Sequence, residues 1–164
     1  MRPECMSQGE PLTVSLVSLG CPKNLVDSER MLGRLAEGGC VVGAPMADAD
    51  VIIVNTCGFL SAARDESLEV ISEALECKRT GRARRVVVAG CLVQRDAEKL
   101  FEMAPGIDSI VGVHGRDDIL LAVATERRAI ISPGPRGVCS DAGRFRLTPR
   151  HTAYLRISEG CSHR

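Results

Sequence analysis

The chain has 164 residues, no tryptophan and 45% hydrophobic residues, which is enough for one ordinary globular core and an appendage. Its 21 basic and 21 acidic residues cancel, so no global field draws it to nucleic acid or to an anionic membrane. No apolar run approaches 18 residues and the N-terminus lacks the apolar region of a signal peptide, so we expect a cytoplasmic protein with no membrane partner.

Strand-like segments recur from residue 13 onwards. The runs TVSLVSL (13–19), VIIVN (51–55) and RVVVAG (85–90) are nearly continuous and rich in β-branched residues. Strands that are covered on both faces have this composition, because neither face is exposed to water. The three runs therefore predict buried, parallel strands.

Helical spacing of apolar residues fills the segments between these runs. The first helix is predicted to bury Leu32, Leu35 and Ala36 and to stop at two glycines. The second is predicted to begin at Ser61 as its N-cap. It carries three apolar residues on one face, Leu68, Ile71 and Leu75. Two further helices, in RDAEKLFEMA and DDILLAVATE, flank a short strand in DSIVG.

The alternation of strand and helix predicts right-handed βαβ units. It indicates a small doubly wound α/β domain with a mostly parallel sheet and helices on both faces. We assign this domain to residues 13–128, after a flexible tail over 1–12. Residues 129–150 are rich in proline and glycine and are predicted to be a linker. The run TAYLRIS (152–158) predicts the first strand of a further domain, which begins at 151 and is cut off at 164.

Three of the eight cysteines each follow a predicted parallel strand, namely Cys21, Cys57 and Cys91. The carboxyl ends of parallel strands meet at one edge of a sheet, where ligands bind, so we expect the three thiols to share one crevice. Glycine precedes Cys21 and Cys91 and follows Cys57. These glycines let the backbone approach a bulky metal cluster.

Packing is the alternative explanation for these three residues, because cysteine is often buried as a small apolar side chain. We expect that role for four others, Cys5, Cys40, Cys77 and Cys139. Three thiolates without a compelling histidine favour an iron–sulfur cluster over a structural zinc site, which takes four protein ligands. A cluster of four irons would keep one iron open, which indicates chemistry rather than scaffolding.

Four motifs in order resemble the N-terminal half of the radical S-adenosylmethionine methylthiotransferases. They are SLGCPKNLVDSERM (18–31), VNTCGFLSAARDESLEVI (54–71), VVAGCLVQR (87–95) and HTAYLRISEGCSHR (151–164). Within that family, GCPKNLVDSE and NTCGF followed by ESLE are similar to the branch that acts on protein twelve of the small ribosomal subunit. A ribosomal-protein substrate is therefore expected.

The resemblance implies that the whole enzyme adds a methylthio group to the β-carbon of an aspartate, using S-adenosylmethionine and an electron donor. It implies that Cys21, Cys57 and Cys91 bind an auxiliary 4Fe-4S cluster. It makes Cys161 the first ligand of a second 4Fe-4S cluster, which cleaves S-adenosylmethionine in a barrel domain. The sequence stops before the other ligands of that cluster, so we expect these 164 residues alone to be inactive.

Alternatives stay open for the substrate and for the weaker motifs. One is the same chemistry on isopentenyladenosine in tRNA, and another is a non-catalytic iron–sulfur binding module. The basic run KRTGRARR (78–85) suggests a contact with ribosomal RNA or with the substrate, with a solvated helix end as the alternative. Asn24, Asp27 and Ser28 follow the first cysteine and are predicted to cap the next helix, with a contact to the cluster or to the substrate as the alternative.

Overall fold

Six parallel strands form one sheet, in a computed structural model that describes residues 6–7, 10–134 and 143–157. In chain order these strands are β3 (Thr13–Ser18), β4 (Val41–Val42), β5 (Val51–Thr56), β6 (Arg85–Gly90), β7 (Ser109–Gly112) and β8 (Ala129–Ile130). A short antiparallel pair, β1 (Met6–Ser7) and β2 (Glu10–Pro11), precedes them.

The strand order across the sheet is β4, β3, β5, β6, β7, β8. The chain moves outward from β3 to β4 and then continues on the other side of β3 with β5. The order therefore reverses between β3 and β5. Ligands of open α/β sheets bind beyond the carboxyl ends of the strands at such a reversal.

Five α-helices connect the strands. They are α1 (Pro22–Glu37), α2 (Ser61–Thr80), α3 (Cys91–Asp96), α4 (Leu100–Met103) and α5 (Ile119–Ala124). Three 3-10 helices lie at Met46–Asp48, Ala97–Lys99 and Val113–Asp118. No helix in the described ranges is both long enough and apolar enough to cross a bilayer.

The sheet is covered on both faces, as β5 shows most clearly. Its residues Val51 and Ile53 belong to a core that α1 and α5 complete, whereas Ile52 and Val54 belong to a second core with α2, α3 and α4. All residues of β5 are buried. Alternate side chains of a strand point to opposite faces, so two apolar layers need a continuous apolar run. The predicted α/β class, with a mostly parallel sheet and helices on both faces, is confirmed.

Several helix details differ from the sequence-based expectation. Ala36 is exposed, because the buried face of α1 is centred on residues nearer its start, such as Met31. Ser61 is the first residue of α2 and not its N-cap, which is Leu60 without a side-chain hydrogen bond. The N-cap of α1 is Cys21, also without such a bond, so the predicted capping by three polar residues is wrong. Those residues, Asn24, Asp27 and Ser28, are buried instead.

The predicted strand over 152–158 is absent from its described part, 152–157. No strand among the described residues pairs with this segment, and side chains hold it against α1 instead. Nη2 of Arg156 donates to the carbonyl of Lys23 at 2.9 Å and lies 2.6 Å from the carboxylate of Asp27. A strand needs a hydrogen-bonded neighbour, so the β-branched composition alone was insufficient here.

Residues 143–157, which we call the strap, run back along α1 towards the end that carries Cys21. The buried carboxylate of Glu29 lies 2.7 Å from Nε of Arg144 and accepts the backbone N–H of Leu147 at 2.7 Å. A side chain at Gly33 would collide with the backbone of the strap. This part of the predicted linker is therefore docked on the domain.

Asp50 pairs with Arg82 at the edge of the sheet where the strands begin. The Arg82 guanidinium, assisted by the hydroxyl and amide of Thr13, holds the pKa of Asp50 well below its usual range. Because its pKa is lower in the folded chain, Asp50 stabilises the fold above the unfolded value of about 4, and this contribution is lost as the pH falls further. We expect Asp50→Asn to lower the free energy of unfolding by about 1–2 kcal/mol at pH 7.

Urea unfolding between pH 7 and pH 2 checks this prediction. The difference between the original chain and the Asp50→Asn variant should shrink as the pH falls below about 4. Asp48→Asn, an exposed carboxylate two residues earlier, is the matched control and should leave the profile unchanged. A difference that stayed constant down to pH 2 would contradict the assigned role of the Asp50 charge.

Candidate metal centre

Three cysteines lie at the carboxyl edge of three neighbouring strands. Cys21 follows β3 by three residues, Cys57 follows β5 directly, and Cys91 follows β6 directly and begins α3. Since β3, β5 and β6 are adjacent in the sheet, their ends carry the three residues to one place, at the reversal of strand order. Cys21 is exposed, the other two are half-buried, and all three are free thiols.

Glycines bring the three cysteine loops into contact. Gly20 has a φ of +92°, and a side-chain carbon there would lie 2.8 Å from Cβ and 3.2 Å from Sγ of Cys57. Gly58 lies against the start of α3, where an added carbon would be 2.9 Å from the backbone nitrogen of Leu92 and 3.0 Å from the carbonyl carbon of Cys91. Neither glycine position has room for a side chain. The backbone can therefore approach a ligand closely at this edge.

The charge environment links the three thiols. Burial raises the pKa of the Cys91 thiol, the neighbouring thiols of Cys57 and Cys21 raise it further, and Lys23 opposes the rise. Without a metal, Cys91 is therefore protonated at neutral pH. Metal ligands must be deprotonated, so loading this site releases a proton and is disfavoured at low pH.

The donor set at this edge is three free thiols. In the part of the chain that the structure describes, no group of three His, Cys, Asp or Glu side chains is arranged to hold one metal ion. A four-iron cluster takes each thiolate on a different iron, so its ligands stand farther apart than those around one ion. Three free thiols beyond three adjacent strands would supply thiolates for three of its four irons.

Buried polar side chains underlie the cysteine edge. Asn24 on α1 is 2% exposed, and its Nδ2 donates to the carbonyls of Leu19 and Thr56, both at 2.9 Å. The thiol of Cys91 lies 3.7 Å from its Oδ1 and donates to it. The sequence favoured capping for Asn24 and offered a contact at the cysteine site only as the alternative. The signal was the spacing of Asn24, Asp27 and Ser28, which places three polar residues on one face of a helix that faces the sheet.

The second asparagine of the chain supports the first. Nδ2 of Asn55 donates to the carbonyl of Asn24 at 3.0 Å and to the hydroxyl of Ser28 at 2.9 Å. The hydroxyl of Thr56 donates to the carbonyl of Ala89 at 2.6 Å. These side chains connect β5 with α1 and β6, just beneath the cysteine loops.

The loop after Cys57 is held from α2 and α3. The hydroxyl of Ser67 accepts the backbone N–H of Cys57 at 3.3 Å and donates to the carbonyl of Ala63 at 2.7 Å. Nη1 of Arg95 donates to the carbonyl of Gly58 at 3.1 Å. The helices on the same face thus fix the backbone on both sides of the peptide between Cys57 and Gly58.

The other cysteines do not join this group within the described residues. Cys77 is half-buried on α2 and Cys40 is buried just before β4, so both lie towards the edge where the strands begin. Cys161, which the resemblance assigned to a second cluster, lies outside the described residues. So do Cys5 and Cys139.

Most of the basic run 78–85 is engaged in ion pairs at the edge opposite the cysteines. Four of its members have acidic partners: Lys78 with Asp108, Arg79 with Glu76, Arg82 with Asp50, and Arg85 with Glu126. The Arg79–Glu76 pair lies within α2, and the other three connect the run to Asp108 and Asp50, which directly precede β7 and β5, and to Glu126 after α5. They favour the structural interpretation of the run, and a contact with ribosomal RNA stays a prediction.

Residues 13–112, more than half of the chain, match the family described as uncharacterized protein family UPF0004. The chain is 47% identical over 152 residues to a protein of Anaeromyxobacter sp. (strain K). This match covers 92% of the chain and 32% of that protein. It is 45% identical over 157 residues to one of Pelotomaculum thermopropionicum, with coverages of 93% and 35%.

A protein of Psychrobacter sp. (strain PRwf-1) is 41% identical over 162 residues, which are 92% of this chain and 29% of that protein. All three relatives carry the name ribosomal protein uS12 methylthiotransferase RimO. The chain spans about a third of the length of these curated relatives.

Proposed function

This chain belongs to the uncharacterized protein family UPF0004, and from that membership we propose that it is the cluster-binding part of a ribosomal protein uS12 methylthiotransferase. The observation that carries the proposal is the placement of Cys21, Cys57 and Cys91 beyond three adjacent parallel strands. These thiols would hold an auxiliary 4Fe-4S cluster. The proposed domain comprises residues 13–128 and its short edge strand β8.

When bound, the cluster supplies an iron without a protein thiolate, at which a sulfur species can be held for transfer. The exposure of the three cysteines determines which side of the site is accessible. Cys57 and Cys91 are half-buried and Cys21 is exposed, so the ligand set opens towards solvent on the side of Cys21. Lys23, on the first turn of α1, provides positive charge beside a cluster with three thiolates.

The loop after Cys57 exposes two large apolar side chains. Phe59 is 87% exposed and Leu60 is 62% exposed, and both lie within three residues after Cys57. Exposed apolar side chains beside a reactive centre suit contact with a polypeptide. We assign them to binding of the ribosomal protein substrate, whose location would place the reaction in the cytoplasm.

The whole protein would add a methylthio group to the β-carbon of an aspartate in that substrate. It would use S-adenosylmethionine, an electron donor and a second 4Fe-4S cluster, for which Cys161 is the proposed first ligand. The remainder of the predicted linker 129–150, after β8, would connect the cluster-binding domain to the domain that begins at 151. The docked strap supports this assignment, because it directs the chain back towards the cysteine edge.

Anaerobic reconstitution of this chain with iron and sulfide tests the proposal. We expect about four irons per chain, with the absorbance of a 4Fe-4S cluster. Replacing Cys21, Cys57 or Cys91 by alanine should remove most of the iron, because each thiolate binds a different iron. Cys77→Ala is the matched control, since Cys77 is also a free, half-buried cysteine, and it should bind as much iron as the original chain.

Iron, sulfide and protein assays on the same samples give the iron and sulfide bound per chain. Urea unfolding checks that each variant folds. Equal iron in Cys57→Ala and Cys77→Ala would mean that the iron is bound elsewhere and would overturn the proposed site. Absence of iron from the original chain would overturn cluster binding by this domain.

A further inference from the structure

A single side chain contacts all three cysteine loops. The amide of Asn24 donates to the carbonyl of Leu19, which precedes Cys21, and to the carbonyl of Thr56, which precedes Cys57. Its Oδ1 accepts the thiol of Cys91 at 3.7 Å. The loops come from β3, β5 and β6, so the amide connects three strands at the point where each ends.

The orientation of this amide is fixed. Turning it over would place Oδ1 against two carbonyl oxygens and would remove both donated hydrogen bonds of Asn24. Its two donors are therefore committed to the loops, and its oxygen must face the sulfur of Cys91. The backbone carbonyl of Asn24 also accepts Nδ2 of Asn55 at 3.0 Å, which holds α1 in place beneath the loops. None of the bonds of this side chain serves its own helix.

The loops need such a support because they are rich in glycine. Gly20 and Gly90 have φ values of +92° and +101°, and Gly58 lies against the start of α3. Glycine loses more backbone entropy on ordering than any other residue, so these loops are costly to hold in one arrangement. A buried side chain with all its hydrogen bonds made can hold them before a ligand arrives.

We infer that Asn24 is a positioning residue of the three-thiol site, which sets the spacing of the three cysteine loops before a cluster binds. It is not proposed as a ligand, since both of its donors are committed to backbone carbonyls; the bond from the Cys91 thiol to its oxygen belongs to the unloaded chain, in which that thiol is protonated. The expected effect of Asn24 on iron binding rests on the proposed cluster-binding function. The network itself exists in the unloaded chain and is measurable there.

The test compares Asn24→Ala with Thr13→Val in iron loading of this chain. Thr13 also makes hydrogen bonds between distant segments, to Asp50, but at the opposite edge of the sheet, so its variant controls for lost stability. Iron affinity is measured by competition with a chelator, and the reduced cluster is examined by electron paramagnetic resonance. We expect a loss of affinity of about 10–100-fold and shifted g-values for Asn24→Ala alone, as for other residues that orient metal ligands.

Equal affinity and unchanged g-values in the two variants would overturn the inference, because Asn24 would then act only through general stability. If the original chain binds no iron, the proposed function fails, and that outcome is separate from any difference between the variants. A measurement on the unloaded original chain covers the case in which Asn24→Ala does not fold. The side-chain amide protons of Asn24 should exchange slowly in nuclear magnetic resonance spectra, and free exchange would overturn the inference.

Discussion

Replacing Glu29 by alanine should lower the free energy of unfolding by about 3–5 kcal/mol, the range for breaking a buried ion pair. The side chain of Glu29 is 1% exposed, and that of Arg144 is 10% exposed. The carboxylate also accepts the backbone N–H groups of Leu147 and Thr148, at 2.7 and 3.4 Å. Alanine would leave a guanidinium and backbone donors without this partner in a site that water reaches poorly.

Urea unfolding and amide exchange together measure this effect. If the strap detaches first, the amide of Leu147 should exchange roughly a hundredfold to a few thousandfold faster, since about 1.4 kcal/mol is a factor of ten. Glu76→Ala removes an exposed glutamate that also pairs with an arginine, and it should leave both measurements unchanged. Unchanged stability and exchange in Glu29→Ala would show that Glu29 does not hold the strap.

The main strands and the cysteine positions can be predicted from the sequence because one physical cause determines both. A strand buried on two faces needs a continuous apolar run, so β3, β5 and β6 are visible as runs of valine, isoleucine and leucine. Once the strands are parallel, whatever follows them lies at one edge. The three cysteines follow from that rule without knowledge of any side-chain contact.

The polar half of the site is not predictable in this way. Glu29 and Arg144 are 115 positions apart, and Asn24 and Cys91 are 67 apart, so no local pattern indicates either contact. The buried polar residues of α1 have the composition of a solvated helix face. Their burial depends on the strap and on the cysteine loops, which cover them from parts of the chain with no regular period.

The two-residue strand β8 and the segment after the linker show a related limit. Ala129–Ile130 pairs with β7 although it lies where glycine and proline predict a linker. Conversely, 152–157 has the composition of a strand but no neighbour to pair with. Strand formation depends on an available edge, and that edge is a property of the folded sheet.

Replacing Gly90 by alanine should lower the free energy of unfolding by about 3–5 kcal/mol, from backbone strain and overpacking together. Gly90 has φ +101° and ψ −155°, a conformation that is essentially confined to glycine. A side-chain carbon there would lie 2.5 Å from Oδ1 of Asn55 and 2.5 Å from the carbonyl oxygen of Thr56. Neither can move easily, because Thr56 is part of β5 and Asn55 is bonded to α1.

Gly39→Ala is the comparison variant for the backbone strain in Gly90→Ala. Gly39 has a φ of +86° with no atom within 4 Å of an added carbon, so this variant measures backbone strain alone, which should be about 1–2 kcal/mol. The excess loss in Gly90→Ala then reports the contact with β5 together with the stricter glycine requirement of its φ and ψ angles. Because Gly90 directly precedes Cys91, that contact also fixes the backbone position of Cys91. Iron binding should therefore fall in Gly90→Ala but not in Gly39→Ala. If the two variants lost equal stability, close packing of β6 on β5 would not be the reason that glycine occupies position 90.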